Sequence, residues 1–260
     1  MSETNTTTKV FTVRAFPNRE QRDMLNGTMF LCCDVFNCVT QKRREQDEYV
    51  KNNLPDWAFY EKTIEKGKRK GEIVKASKKK DMLTKEENAM LKDSKSELYK
   101  KAAELFPEPT YKHYSKKTEY KALLESNKIL TKKTIDKYFI SSAISYVEQE
   151  NLKTQRAKVA DRRKKGLPAD YKFAKKINAN SFRVGSKIGD WKIVKKGKRY
   201  YLYISKFSDQ KNNGPLLIKI DKQYWREKFG GITEGKSCVI TRDSVSVNNS
   251  KYYARLTITI

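Results

Sequence analysis

Lys9-Val10-Phe11-Thr12-Val13-Arg14-Ala15-Phe16-Pro17-Asn18-Arg19-Glu20-Gln21 joins a strand to a helix, and where that strand pairs decides the fold. From Lys9 to Phe16, Val10, Thr12 and Arg14 point one way and Phe11, Val13 and Ala15 the other, the two-residue period of a strand. Pro17 stops it. Asn18 has the side chain of a helix N-cap, and Gln21 stands where the reciprocal partner of a capping box belongs. Beyond it Leu25, Met29, Cys32, Phe36 and Val39 recur at helical spacing, so this first helix buries one face. Its far end, expected at Lys42-Arg43-Arg44, is basic and suits either the negative end of the helix dipole or a phosphate contact.

At the other end of the chain the period is again two. Strands are expected at Ser181–Val184, Trp191–Val194, Arg199–Ile204, Leu216–Ile220, Ser237–Arg242 and Tyr252–Ile260, with a turn at Lys196-Gly197. The last two read as a hairpin across Val247-Asn248-Asn249-Ser250. In the final strand Tyr252, Ala254, Leu256, Ile258 and Ile260 share one face, and Arg255, Thr257 and Thr259 the other. The expected fold is α+β: a small β-barrel or strongly bent sheet, wedge- or OB-like, into which the opening strand pairs. The helices are then an insertion, giving 1–17 as first strand, 18–166 as helical insert and 167–260 as the rest of the barrel.

Within the insert, 61–80 is rich in Lys, Gly and Glu with little apolar pattern and reads as a mobile basic loop or linker. A helix from about Lys85 to Phe106 places Leu91, Leu98, Ala102 and Phe106 on one face and ends before Pro107 and Pro109. A shorter helix is expected over Lys116–Ser126. The strongest starts near Thr131, carries Ile135, Tyr138, Phe139, Ala143, Tyr146 and Val147 at helical spacing, and runs basic to Lys165 before Gly166 and Pro168 break it. The first residues are Thr-rich, with disorder expected.

The chain has 260 residues and 57 Lys+Arg against 31 Asp+Glu, a net charge of +26. Solubility needs a net charge of only about 2–8 in a small domain. A polyanionic partner accounts for the excess, because phosphates neutralise it and release counterions. No stretch approaches the ~20 apolar residues of a membrane span, and the polar start Met1-Ser2-Glu3-Thr4-Asn5 lacks the parts of a signal peptide. The expectation is a cytoplasmic protein in a prokaryotic, phage or mobile-element setting, with no membrane partner. Cys32, Cys33, Cys38 and Cys238 include no Cys-x-x-Cys pair, and His113 is the only histidine. Neither a zinc site nor disulfides are expected, and no metal or other cofactor.

Gly230-Gly231-Ile232-Thr233-Glu234-Gly235-Lys236-Ser237 has the glycines, lysine and serine of a phosphate-cradling P-loop. That loop needs a strand before it and a helix after it. Here Lys222–Phe229 reads as helix and Cys238–Thr241 as strand, the reverse order, so a Gly-rich turn is the better account. A nucleophilic serine or cysteine lacks a histidine base, and no set of carboxylates converges for a two-metal nuclease. No catalytic residue is assigned. The chain reaches Thr259-Ile260 without a recognisable catalytic segment, which leads to the expectation of a protein that holds nucleic acid and cuts nothing by itself.

The opening Lys9–Gln21 resembles the start of the TnpB family of transposon-encoded RNA-guided nucleases, to which type V CRISPR effectors are related. That family begins with a strand followed by a hydrophobic-Tyr-Pro-Thr-x-Glu-Gln helix start. Cys32-Cys33 and Val35-Phe36-Asn37 look like its Cys-Arg-x-Val-Tyr-Asn stretch, with Asp34 where Arg is usual. Lys164-Lys165-Gly166 and Tyr171–Lys176 resemble its Lys-Pro-Gly-x-Pro-x-Phe-Lys-Ser-Lys segment, and Ser181–Val184 its Ser-Phe-Arg-Tyr strand. Gly235–Arg242 and Tyr252–Ile260 look like the last hairpin of its wedge domain. The pieces run in order along nearly the whole chain. The resemblance implies a wedge domain with an inserted helical recognition domain, without the RuvC-like nuclease half and its zinc-ribbon cysteines.

It also implies partners: a structured guide RNA, the guide–target duplex and possible target DNA, gripped by backbone and shape. The catalytic half would be a separate nuclease chain. Alternatively the protein competes with an intact effector, or is a truncated form whose exposed last strand offers an edge for pairing. The residues expected at nucleic acid are Arg14, Arg43, Arg162, Arg163, Lys164, Lys165, Lys172, Lys175, Lys176 and Arg183, with Tyr171 and Phe173 either stacking on unpaired bases or packing against the barrel. Thr134, Lys137 and Ser141 are candidates for reading a flanking DNA motif. The rival readings are a sequence-specific DNA-binding repressor that uses no RNA, and a P-loop nucleotidase at Gly230–Ser237.

Overall fold

The computed structural model describes residues 8–64, 71–78, 80–108, 147–165, 167, 169–175, 178–184, 191–209, 214–221, 237–243 and 250–259. The expected helix at Lys116–Ser126, the start of the long helix with Thr134, Lys137 and Ser141, His113, Lys176 and the glycine-rich stretch through Lys236 lie outside them.

The opening stretch folds as its pattern dictates. Strand β1 is Thr8–Phe16 and helix α1 is Arg19–Asn52. The capping box joining them is reciprocal: the Gln21 amide N–H donates to Asn18 Oδ1 at 2.8 Å, and the Asn18 amide N–H donates to Gln21 Oε1 at 3.0 Å. The remaining elements are β2 (Phe59–Thr63), β3 (Ile73–Ser77), α2 (Lys85–Leu105), α3 (Lys153–Lys164), β4 (Ser181–Val184), β5 (Trp191–Lys196), β6 (Arg199–Asp209), β7 (Gly214–Ile220), β8 (Ser237–Arg242) and β9 (Tyr252–Thr259). A π-helical turn, Val147–Leu152, leads into α3. Among the described residues no helix is long and apolar enough to cross a membrane.

The chain divides into two compact units. The first comprises Met1–Asn37, Pro109–Thr154 and Phe173–Ile260; the second comprises Cys38–Glu108 and Gln155–Lys172. The division falls inside α1.

The first unit is built on a seven-stranded sheet of order β4-β8-β9-β1-β7-β6-β5, each pair antiparallel. The opening strand lies at its centre, pairing with β9 from Thr8↔Thr259 to Ala15↔Tyr252 and with β7 at Phe16↔Lys219. Gly197, at φ +59°, supplies the left-handed residue that the tight β5–β6 turn requires. One face is apolar and buried: Val13, Ala15, Phe182, Val184, Trp191, Ile193, Leu202, Ile204, Ile218, Ile220, Ile240, Ala254 and Leu256. The first half of α1 adds Leu25, Met29 and Cys32 to this core. Gln21 Nε2 donates to the Leu217 carbonyl at 2.8 Å. Asn37 binds Ala174 at both backbone groups, accepting at 2.7 Å and donating at 2.9 Å.

Two expectations about the sheet are corrected. The fold is α+β, but the described strands do not close into a barrel. Closure needs the end strands to share a ladder, whereas β4 pairs with β8 and β5 with β6 alone. The last strand is also not an edge. β1 covers one side of β9 and β8 the other, so its backbone groups are spent within the sheet and the edges are β4 and β5.

The second unit holds the rest of α1, α2, α3 and a β2–β3 hairpin. The hairpin corrects the loop expected over 61–80. Its register runs from Phe59↔Ser77 to Thr63↔Ile73. The two strands are five residues each and half exposed, too short and too polar to show a period. Helix α2 starts at a second capping box, with the Glu87 N–H donating to Thr84 Oγ1 at 3.1 Å and the Thr84 N–H donating to Glu87 Oε2 at 2.7 Å. It buries Leu91 and Ala102, and Phe106 meets Tyr49 edge-on at 6.2 Å.

Candidate nucleic-acid interface

Antiparallel partners point to the same side of a sheet. The register therefore assembles the uncovered face of the seven-stranded sheet strand by strand. Arg183 stands beside Val239, Val239 beside Arg255, Arg255 beside Thr12, and Arg14 beside Tyr253. Phe16 stands beside Lys219, Lys219 beside Tyr201, Tyr203 beside Lys192, and Arg199 beside Lys196. Arg14, Lys192, Lys196, Arg199, Lys219 and Arg255 are exposed, and Arg183, Tyr201, Tyr203 and Tyr253 half-buried. Among the described side chains of this face there is no Asp or Glu.

Cations and rings are interleaved at contact distance. The Arg14 guanidinium lies 5.0 Å from the centre of the Phe16 ring, and Lys219 Nζ lies 5.7 Å from the same ring. Lys192 Nζ lies 4.9 Å from the Tyr203 ring. Each contact holds a long, flexible cation over a ring without neutralising it. Phe16 stays 40% exposed, which an apolar ring with a place in the core would not. Such a face can pair its cations with phosphates and offer its rings to unpaired bases.

In the second unit the sequence-expected residues are brought together in a different way. Arg43, 6% exposed, forms a two-pronged ion pair with Glu108: Nε to Oε1 and Nη2 to Oε2, each at 3.0 Å. Arg163 pairs with Asp47. The guanidinium groups of Arg43 and Arg163 each lie 5.5 Å from the centre of the Tyr171 ring, and Arg44 Nε donates to the Tyr171 carbonyl at 2.8 Å. Tyr99 donates to Asp47 at 2.8 Å, and burial followed by that hydrogen bond pushes its hydroxyl up to about 12. Arg156 adds a second, exposed contact to Glu108 at 3.4 Å. This is an internal network in which acids hold the arginines and the arginines hold the ring.

The other expected residues are dispersed. Arg162, Lys164 and Lys165 are exposed on the last turn of α3 and just beyond it, where Lys165 reaches Asp161 at 2.9 Å. Lys172 is exposed, and its carbonyl accepts from Gln155 at 2.8 Å. Phe173 is 45% exposed and Lys175 is exposed, both in the first unit. Arg14 and Arg183 lie on the basic sheet face. Sequence reasoning missed Phe16, Lys192, Tyr201, Tyr203, Lys219 and Tyr253. The signal was present in the alternation Tyr201-Leu202-Tyr203-Ile204, whose tyrosines fall opposite the core-facing positions.

Ser237 opens strand β8, so the glycine-rich stretch before it leads into a strand, where a phosphate-cradling loop would lead into a helix. Among the described residues no group of three or more His, Cys, Asp or Glu is placed to hold a metal ion. No protein-family model matches the chain, and no curated protein matches it.

Proposed function

We propose that the protein is a non-catalytic RNA-binding module whose grip is the basic, aromatic face of the seven-stranded sheet. The observation that carries the reading is the composition of that face: cations and exposed or half-exposed rings alternate across its strands and no carboxylate stands among the described side chains. A surface selected only for solubility mixes both signs; one-sided charge with interleaved rings matches a backbone-and-base ligand. The net charge of +26 supports the same partner class. By the resemblance to TnpB-like proteins, the sheet corresponds to a wedge domain, the ligand is a structured guide RNA with its guide–target duplex, and cutting belongs to a separate nuclease half or to an effector with which this chain competes. Exposed Arg162, Lys164 and Lys165 supply further phosphate contacts.

Cross-linking of the full chain in its host, followed by sequencing of the bound nucleic acid, tests this. A defined, structured RNA whose cross-links map to β1, β5, β6, β7 and β9 is the expected result. Duplex DNA alone would instead support a repressor that uses no RNA. Purified protein indifferent to RNA at moderate salt would overturn the reading.

A further inference from the structure

The rings of the sheet face lie along a diagonal. Tyr253 on β9 stands beside Arg14, and Phe16 follows Arg14 by two residues on β1. Lys219 on β7 stands between Phe16 and Tyr201 of β6, and Tyr203 follows Tyr201 by two residues. Lys192 on β5 ends the line beside Tyr203. From β9 to β5 the order is therefore Tyr253, Arg14, Phe16, Lys219, Tyr201, Tyr203, Lys192. A cation stands between Tyr253 and Phe16, another between Phe16 and Tyr201, and a third flanks Tyr203.

Strand geometry fixes how far apart these rings stand. Two residues along a strand cover roughly 7 Å, and neighbouring strands lie about 4.8 Å apart. Tyr253 to Phe16 is one strand across and two residues along, roughly 8 Å. Phe16 to Tyr201 is two strands across at one level, roughly 10 Å. Tyr201 to Tyr203 is roughly 7 Å. Each step is about two to three times the 3.4 Å by which stacked bases follow one another in a duplex strand. Bases seated on neighbouring rings are therefore not stacked on each other. A duplex cannot supply such bases, because each base face inside it is covered by the next pair and only edges and backbone reach a protein. An extended single strand can, with its bases splayed onto the rings and its phosphates over the cations between them.

We propose that this line holds an unpaired, extended stretch of RNA of about four nucleotides, one base to a ring, running diagonally from β9 to β5 with little sequence preference. The inference rests on the RNA-binding reading of the sheet face and narrows the ligand of that face to a single-stranded segment. The Arg14 guanidinium and Lys219 Nζ lie 5.0 Å and 5.7 Å from the Phe16 ring centre. A phosphate draws these cations to itself and a base takes the ring, because base stacking is worth more than an exposed cation–ring contact.

The test is fluorescence anisotropy on the full chain with three labelled probes of matched length: oligouridylate, an RNA duplex, and an abasic ribose-phosphate strand that keeps the phosphates and lacks the bases. Charge alone favours the duplex, whose phosphates are the denser. The expected result is the opposite, with oligouridylate bound about tenfold or more tighter than either other probe. Phe16→Leu, at an exposed position, weakens oligouridylate by about fivefold or more, the loss of one stacked base, while the salt slope stays, since no phosphate contact is removed. Phe16→Tyr, which keeps a ring, recovers the affinity. If the duplex binds as tightly as oligouridylate and Phe16→Leu has no effect, the single-strand ligand is overturned. In that case a shallower salt slope in Lys192→Gln/Lys219→Gln leaves the RNA-binding face standing. If neither the ring variant nor the cation variant changes binding, both readings fail.

Discussion

Removing the four exposed cations that stand among the rings of the sheet face is the most direct perturbation of the proposed grip. Arg14, Lys192, Lys219 and Arg255 lie on four different strands and are all solvent-exposed. Replacing each with Gln leaves the apolar face untouched, so each change costs within about 0.5 kcal/mol of stability, plus about 0.5–1 kcal/mol where a ring contact is lost. The electrostatic effect is larger. A single-strand phosphate contact contributes about 0.7 to the slope of log affinity against log salt, so four contacts contribute about 2.8. Over a fourfold rise in salt that is roughly a 50-fold difference in how far affinity falls. Fluorescence anisotropy with labelled oligouridylate, measured from low to moderate salt, reads the slope. The expected variant binds more weakly and with a slope shallower by about 3. A folded variant whose slope stays within one contact of wild type would refute the assignment of this face.

Three further outcomes follow from the geometry. Arg43→Ala leaves Glu108, among the described residues, only the exposed contact to Arg156 and should destabilise the second unit by about 3–5 kcal/mol, the cost of breaking a buried ion pair. Denaturant unfolding checks this, and the salt slope for RNA should not move, because that guanidinium is already engaged within the protein. Tyr99, held up at about 12, keeps its full contribution below the ordinary tyrosine value of about 10 and loses it as pH rises through the folded value. Stability should therefore fall between those two pH values, and Tyr99→Phe should flatten the fall. Cys32, Cys33, Cys38 and Cys238 are all buried thiols outside any disulfide, and burial pushes the Cys32, Cys38 and Cys238 thiols up. A thiol reagent followed by mass spectrometry should label none of the four in native protein and all of them after denaturation.

Local grammar was legible in the chain. The Asn18–Gln21 capping box, the buried stripe of α1, the helix over Lys85–Leu105 and the six closing strands each depend on residues a few positions apart. The inward and outward sets of β1 and β9 also followed from alternation alone. The β2–β3 hairpin was not legible, since paired strands of five residues without an apolar face leave no period to read.

The site was legible only in part, for a related reason. That Arg14 and Arg183 point away from the core is a property of their own strands. That Lys219 lies beside Phe16, or Lys192 beside Tyr203, depends on strand order. Sequence distance likewise concealed the acid that claims each arginine. Glu108 is 65 positions from Arg43, and Asp47 is 116 from Arg163. A basic run looks the same whether its charges face solvent or a carboxylate elsewhere in the chain.

The amino-acid pattern alone determined that the protein is α+β, strongly cationic, and equipped with strands having one apolar side, because hydrophobic period and net charge are local or additive quantities. Tertiary structure alone decided that the first strand sits at the centre of an open sheet, and that the polar side of that sheet becomes a surface with no acid among its described side chains. Those are pairings between distant segments, chosen by which faces bury together, and no window of neighbouring residues contains them.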